Sequence, residues 1–364
     1  MRSTPPEQMK AIAGKLADAE SIVALKDMFN RVGCGNTRAE SVEGVSADSR
    51  SSYLFNSNIV GVEDADVILL IGSDPRSEAP VLNARLRRAN VAGGTRVASV
   101  GPTRDLTYPV ESLGDSARDL ETLASGSHPF FETMKAAERP LIIVGASALR
   151  RADKDAVMKA IHALADATGV VAALDLGFVP STSAAGVSDA DVSFVYSLGA
   201  EAGIEKSPGA FVVYQGHHGD VGAASADVIL PGAAYTEKAG TYVNTEGRAQ
   251  RAMPAVAPLG SAQEDWKIIR ALSETVGAAL PYDTIGDVRR RMEEISPTFA
   301  RVDDVQPSMW LNGATYAHIG AKESKIDASE AFGTSVTNFY MTDAISRASA
   351  TMAKCTKAHA AGAP

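Results

Sequence analysis

Short apolar runs closed by glycine recur along the chain, separated by stretches with helical spacing. "DVILLIG" (Asp66–Gly72) has no polar interruption, as a strand buried on both faces requires. "SDPRSEAP" reads as a turn, "VLNARLRRAN" as a helix with a basic face, and "GGTRVASVG" (Gly93–Gly101) as a second strand. Together they predict a parallel βαβ unit. The pattern returns in "RPLIIVGASAL" (Arg139–Leu149), the amphipathic "KDAVMKAIHALADAT" (Lys154–Thr168) and "GVVAALDLG" (Gly169–Gly177). It continues in "SFVYSLGAEAG" (Ser193–Gly203), "AFVVYQGHHGD" (Ala210–Asp220) and "ADVILPG" (Ala226–Gly232), the last read as a buried strand. Residues 9–32 carry helical spacing throughout. Ser261 with Glu264 forms a candidate capping box for "SAQEDWKIIRALSETVG". "IGDVRRRMEEIS" is a further helix, and the stretch from Ser335 to Ala358 becomes helical late.

The predicted class is α/β, with open, mostly parallel sheets covered by helices in two Rossmann-like lobes and an irregular C-terminal tail. The expected segmentation is linear: 1–57 helical and connecting, 58–130 a first lobe, 131–260 a second lobe with a polar loop at 233–250, 261–300 helical, 301–364 an extended tail. In that tail, Phe339, Tyr340 and Met341 are expected to be buried against the body or a neighbouring subunit.

Composition narrows the function classes. A net charge of -9, from 35 basic and 44 acidic residues in 364, disfavours nucleic acid as the main partner. No apolar run reaches the roughly 18 residues of a membrane span. Two cysteines, Cys34 and Cys355, with no CxxC pair, argue against an iron–sulfur cluster, a structural zinc site or a disulfide framework. The N-terminus shows no signal-peptide core and makes a poor organelle presequence.

Three stretches carry candidate chemistry. "GSDPRSEAP" places Asp74 and Arg76 where a strand gives way to a helix, an arrangement that can meet an anion. It lacks both GxGxxG and GxxxxGK[ST], and an Asp or Ser cap, a Pro turn and an Arg–Glu surface pair explain it more simply. "QGHHGD" sets His217 and His218 between glycines; neighbouring side chains in an extended segment point opposite ways, which disfavours one shared ligand. "YTEKAGTYVNTEGRAQ" offers Glu237, Thr241, Asn244, Glu246 and Arg248, suited either to grip a polar cofactor or to scaffold a long loop. The residues themselves leave both readings open.

"ADVILPGAAYTEKAGTYVNTEGRAQ" resembles the segment "ADVxLP…EKxGTxxNTEGRxQ" of the molybdopterin oxidoreductase superfamily, in which this loop lies against the pterin. "ADVILLIGSDPRSEAPVLNARLRRA", "EDWKIIRALSE" and "FYMTDAISRASATMAKC" further resemble the large iron–sulfur, G-type subunits of respiratory complex I (NADH:ubiquinone oxidoreductase), in their mitochondrial form. The resemblance runs from about Val23 to Lys357 and covers only the molybdopterin-fold half of such a subunit. It implies an accessory component of the peripheral arm, on the matrix side of the mitochondrial inner membrane or, alternatively, the bacterial cytoplasmic face. It implies no catalytic residue, no metal and no cofactor in this chain, with the iron–sulfur clusters and FMN on partner subunits. The expected partners are the cluster-bearing N-terminal half as a separate polypeptide and other peripheral-arm subunits, without membrane insertion. Asp74, Arg76, His217, His218, Glu237, Thr241, Asn244, Glu246 and Arg248 become candidates for a relict cofactor cradle. The rival readings are a molybdenum enzyme fragment and a free-standing nucleotide-binding protein.

Overall fold

A computed structural model describes residues 1–40, 54–55, 57–102, 104–168, 171–174, 191–202, 204, 208–305, 325–328 and 330–362. Along the chain the strands are β1 (Met9–Ala13), β2 (Thr37–Ala39), β3 (Val67–Ile71), β4 (Arg96–Val100), β5 (Glu111–Ser112), β6 (Pro140–Val144), β7 (Val171–Leu174), β8 (Phe194–Leu198), β9 (Phe211–Gly216), β10 (Val228–Pro231), β11 (Gly240–Val243) and β12 (Ala249–Ala252).

The chain forms two units, and neither is continuous in sequence. One comprises residues 1–42, 178–306 and 340–364; the other comprises 43–177 and 307–339. This differs from the linear segmentation expected above. Strands β6 and β7 complete the sheet begun by β3, and β1 and β2, from the expected connecting segment, complete the sheet of β8 to β10. Periodicity identifies a strand but says nothing of its neighbour in the sheet.

In the first unit the sheet order is β10-β9-β8-β1-β2, parallel throughout. Met9, Ala11, Phe194, Tyr196 and Leu198 pack against the helices Ala19–Arg31, Asp265–Thr275 and Ile285–Ile295 through Phe29, Trp266 and Val288. Ile12, Val195 and Val212 point the other way into a smaller cluster. The expected helix over 9–32 is therefore a strand, a turn and a helix. Asp18 caps the helix, its side chain accepting the Ser21 N–H at 2.8 Å. "MKAIA" is buried on both faces, Lys10 included, so spacing alone does not separate it from a buried helix. Strand β10 lies at the sheet edge, with Val228 and Ile229 exposed rather than buried. Beyond it, β11 and β12 form an antiparallel pair, and β11 packs on the helix Ala19–Arg31.

The second unit has the parallel order β5-β4-β3-β6-β7. Ile68, Leu70, Val97, Leu141 and Ile143 form one core with Leu82 and Leu86 of the helix Pro80–Gly93. Leu69 and Ile71, which point to the opposite face, are also fully buried. That two-sided burial explains the uninterrupted apolar run.

Candidate functional site

In the first unit, β1 leads to β2 on one side, while β8, β9 and β10 extend the sheet on the other. The loops after β1 and β8 therefore diverge and leave a crevice at the carboxyl ends of the strands, where open α/β sheets take ligands. A cavity of about 400 Å³ occupies it, lined among others by Lys15, Glu40, Glu201, Tyr214, His217 and Lys238.

Lys238 is the charged centre of its wall. Its ammonium lies 2.7 Å from Asp18 Oδ2 and is bonded to Asp265 as well. All three side chains are almost wholly buried. Asp18 Oδ2 faces the ammonium as an ion-pair partner without an aligned hydrogen bond. Asp265 Oδ1 accepts from Gln215 Nε2 at 2.8 Å, and Gln215 in turn accepts from the Tyr196 hydroxyl. Burial works against the ammonium, but the two carboxylates outweigh it and raise its pKa. Asp265 is shifted upwards by burial, with Asp18 adding to the shift and Lys238 opposing it.

Carboxylates take the backbone donors of the crevice. Glu40 Oε1 accepts the N–H groups of Glu201 and Ala202 at 3.2 and 3.0 Å, and Oε2 accepts that of Lys15 at 3.3 Å. Glu201 Oε2 accepts the Gly222 N–H at 2.8 Å, and Oε1 accepts the Tyr214 hydroxyl at 3.1 Å. From the C-terminal region, Thr342, Asp343, Ala344 and Arg347 line the cavity too, and Arg347 pairs with Asp220.

The sequence candidates are distributed unevenly. His217 lines the cavity, and its Nδ1 lies 2.7 Å from Nδ1 of His218. The two rings meet edge to face instead of pointing apart, because the chain turns after β9. Burial, then His218 and Lys238, push the His217 pKa down to about 4. Glu237 accepts the Ala234 N–H at 3.0 Å inside its own loop. Thr241 gives its N–H and hydroxyl to Glu20, both at 2.7 Å. Asn244, Glu246 and Arg248 bond to one another across the β11–β12 turn, with Arg248 Nε 3.1 Å from Glu246 Oε1. Of the polar-loop residues, Lys238 reaches the cavity, and it was not among the candidates. Its one legible signal is a cation in a glycine-broken loop otherwise rich in neutral donors. Asp18, Glu40, Glu201 and Asp265 were missed because they come from four distant segments.

In the second unit Asp74 is buried and Arg76 pairs at the surface with Asp105 at 3.0 Å. The Asp74 N–H and the Ser73 hydroxyl both donate to Glu78 Oε2, at 3.1 and 3.2 Å. A carboxylate therefore stands where a phosphate would be received.

The pterin against which this loop lies in the molybdopterin oxidoreductase superfamily bears negative groups, and these donors do not fit it. The N–H groups that would meet an anion already meet Glu40 or Glu201. Among the described residues no group of three His, Cys, Asp or Glu side chains is placed to hold a metal. Cys34 is in the core, its thiol 3.3 Å from the Met9 carbonyl, and burial raises its pKa, which keeps it a thiol.

Comparison with known proteins agrees with the resemblance. The molybdopterin oxidoreductase family model matches residues 2–275, and that of the C-terminal region of the G-type NADH-ubiquinone oxidoreductase subunits matches 304–355. The mitochondrial "NADH dehydrogenase [ubiquinone] iron-sulfur protein 1" of Solanum tuberosum is 44% identical, over 98% of this chain and 50% of its own length. The mitochondrial "NADH-ubiquinone oxidoreductase 78 kDa subunit" of Candida albicans is 45% identical, over 96% and 51%. This chain thus spans about half the length of these curated relatives. A chain of the formyltransferase/hydrolase complex of Methylorubrum extorquens shares the fold at 14% identity, with a TM-score of 0.54 over 74% of this chain and 91% of that one. With its parallel sheets, the cleft at their carboxyl ends and a sequence match over residues 2–275, the chain belongs to the molybdopterin oxidoreductase family.

Proposed function

We propose that this chain is a subunit of the peripheral, NADH-oxidising arm of respiratory complex I, with a structural rather than a chemical part. The observation that carries the reading is the 44–45% identity to the mitochondrial subunits over nearly the whole chain. The self-satisfied cleft supports the structural part. Its ion pairs and backbone donors largely close on one another, as expected of a fold that does not rely on a cofactor.

In this reading the iron–sulfur clusters and FMN belong to partner polypeptides, one of them carrying the half of the relatives that this chain does not span. The chain itself binds no cofactor and transfers no electrons. It supports the path from NADH to ubiquinone by holding neighbours at fixed distances. It lies on the matrix side of the mitochondrial inner membrane, or on the cytoplasmic face in a bacterium, attached through its partners. Among the described residues no helix is long and apolar enough to cross a membrane.

Mass spectrometry of the native particle containing this chain tests the proposal. The expected result is a flavin-bearing subunit, quinone-site subunits and a separate short polypeptide with the cluster cysteines. Recovery of the chain alone, or with molybdenum and a pterin, overturns it.

A further inference from the structure

In the second unit β3 and β6 stay paired to Ile71 and Val144, but the connections after them run to opposite sides of the sheet, and the chain itself fills the crevice beyond the carboxyl ends. Phe332 is 3% exposed and rests on glycine. A Cβ on Gly72, whose φ is +56°, would come within 3.0 Å of the Phe332 ring, and one on Gly101 within 3.8 Å of its Cβ. The Phe332 N–H donates to the Asp115 carbonyl at 2.9 Å, and Ala331 forms an antiparallel bridge with Ser116. Arg151 covers the ring, its Cζ 5.1 Å from the centroid. The same guanidinium donates to three main-chain carbonyls, those of Glu330 at 2.7 Å, Ala331 at 3.3 Å and Asp327 at 3.1 Å. Asp153 holds it in place by accepting from Nε and Nη2 at 2.7 and 2.9 Å, and takes the Asp327 N–H at 2.7 Å. Past the ring, the Ser335 N–H donates to Glu78 Oε1 at 3.2 Å.

Most of these bonds go to main-chain atoms of the segment, and one aromatic side chain sits in a glycine-floored pocket. A domain recognises an extended peptide in this way, with backbone bonds for affinity and an anchor for register. The groove and its occupant also have separate sources. Gly72, Gly101, Asp115 and Arg151 lie inside the molybdopterin oxidoreductase match, whereas Asp327 and residues 330–335 lie beyond its end at 275 and inside the second family match, 304–355.

We infer that residues 330–335, with Asp327, are a peptide ligand carried in cis, and that the crevice of the second unit is a groove for an extended segment anchored by an aromatic side chain. The segment holds the position at which such a sheet takes a ligand and shuts it to any other occupant.

Hydrogen exchange on the full wild-type chain gives the first test. A docked peptide opens by itself, so the amides of Asp327 and Phe332 should exchange about 100-fold or more faster than those of β3 and β6. If all four exchange only through global unfolding, the segment is ordinary core and the inference fails. The second test uses the full chain carrying Phe332→Ala and a fluorescent peptide of residues 325–338, read by anisotropy. Saturable binding is expected, weakened about 10-fold or more by Phe332→Ala in the peptide and absent with the wild-type chain, whose groove is filled. No binding to a variant with native circular dichroism, or equal binding to the wild-type chain, overturns the inference. If that variant does not fold, the exchange experiment decides. Neither test depends on assembly into a larger complex, so the inference and the proposed function fail separately.

Discussion

Lys238 gathers a buried charge imbalance in the first unit, one ammonium between two carboxylates. Lys238→Met leaves Asp18 and Asp265 facing each other as buried carboxylates, and removing one partner of a buried pair typically costs about 3–5 kcal/mol. Urea unfolding should show that loss, and adding Asp265→Asn to the variant should recover about half of it, because one surplus charge goes with it. Equal stability of the single variant and the wild type would show that the triad is solvated. His217 sets a pH dependence of its own. Its folded pKa of about 4 lies below the ordinary 6.5, so the unfolded chain binds the proton more readily. Stability from the neutral ring is complete above 6.5 and is lost as pH falls towards 4. The groups that bear on the ring are His218, Lys238, Glu237 and Asp343. Because the ring is only half-buried, the expected loss between pH 7 and pH 5 is about 1 kcal/mol, and His217→Gln should remove it. An unchanged difference between the two pH values in the variant would assign the effect elsewhere.

At the scale of elements, the helix caps separate what the sequence states from what it leaves undecided. Ser261 and Glu264 match a capping box in letters, yet the helix begins at Asp265 with Glu264 at its N-cap and no side-chain bond. Thr284 makes the real box twenty residues later, its hydroxyl accepting from the Asp287 N–H while Asp287 accepts the Thr284 N–H at 3.0 Å. Thr284→Ala should therefore cost about 1 kcal/mol in chemical denaturation and Ser261→Ala less than about 0.5 kcal/mol. The reverse order would contradict the observed helix start. The same contrast runs through the fold. Strands β3 and β6 were legible because two-sided burial writes an unbroken apolar run, and β4, β8 and β9 because short, mostly apolar runs end at glycine. β1 was hidden, since five apolar-flanked residues next to a helical pattern carry no period of their own. β10 was legible as a strand but not as an edge, because exposure depends on neighbours. The site was less legible than the fold. "NTEGR" looked like a cradle, but its side chains close the β11–β12 turn, and the cavity is built by residues up to 332 positions apart, from Lys15 to Arg347.

For the whole molecule, the proposed role requires surfaces that a partner covers, and the C-terminal helix Ala350–Gly362 is one to test. None of its described residues is fully buried, although Tyr340 meets His359 edge-on at 6.1 Å. Phe339, expected from the sequence to be covered, is 49% exposed in the chain by itself. A thirteen-residue helix offers about 20 Å of length to a neighbour. Removing Ser335 onward would also break the Glu78 and Asp220 contacts, so loss of assembly could not be told from loss of fold. Removing Ala350–Pro364 spares both. Because it uncovers little apolar surface, the thermal midpoint should move by less than about 2 °C. Incorporation into the native particle, measured by labelled pull-down against the full chain, should nonetheless fall several-fold. A truncated chain that incorporates equally would free this helix from any docking role. The exposed Met253, Val256 and Leu259, within seven residues of one another, would then be the surface to substitute next.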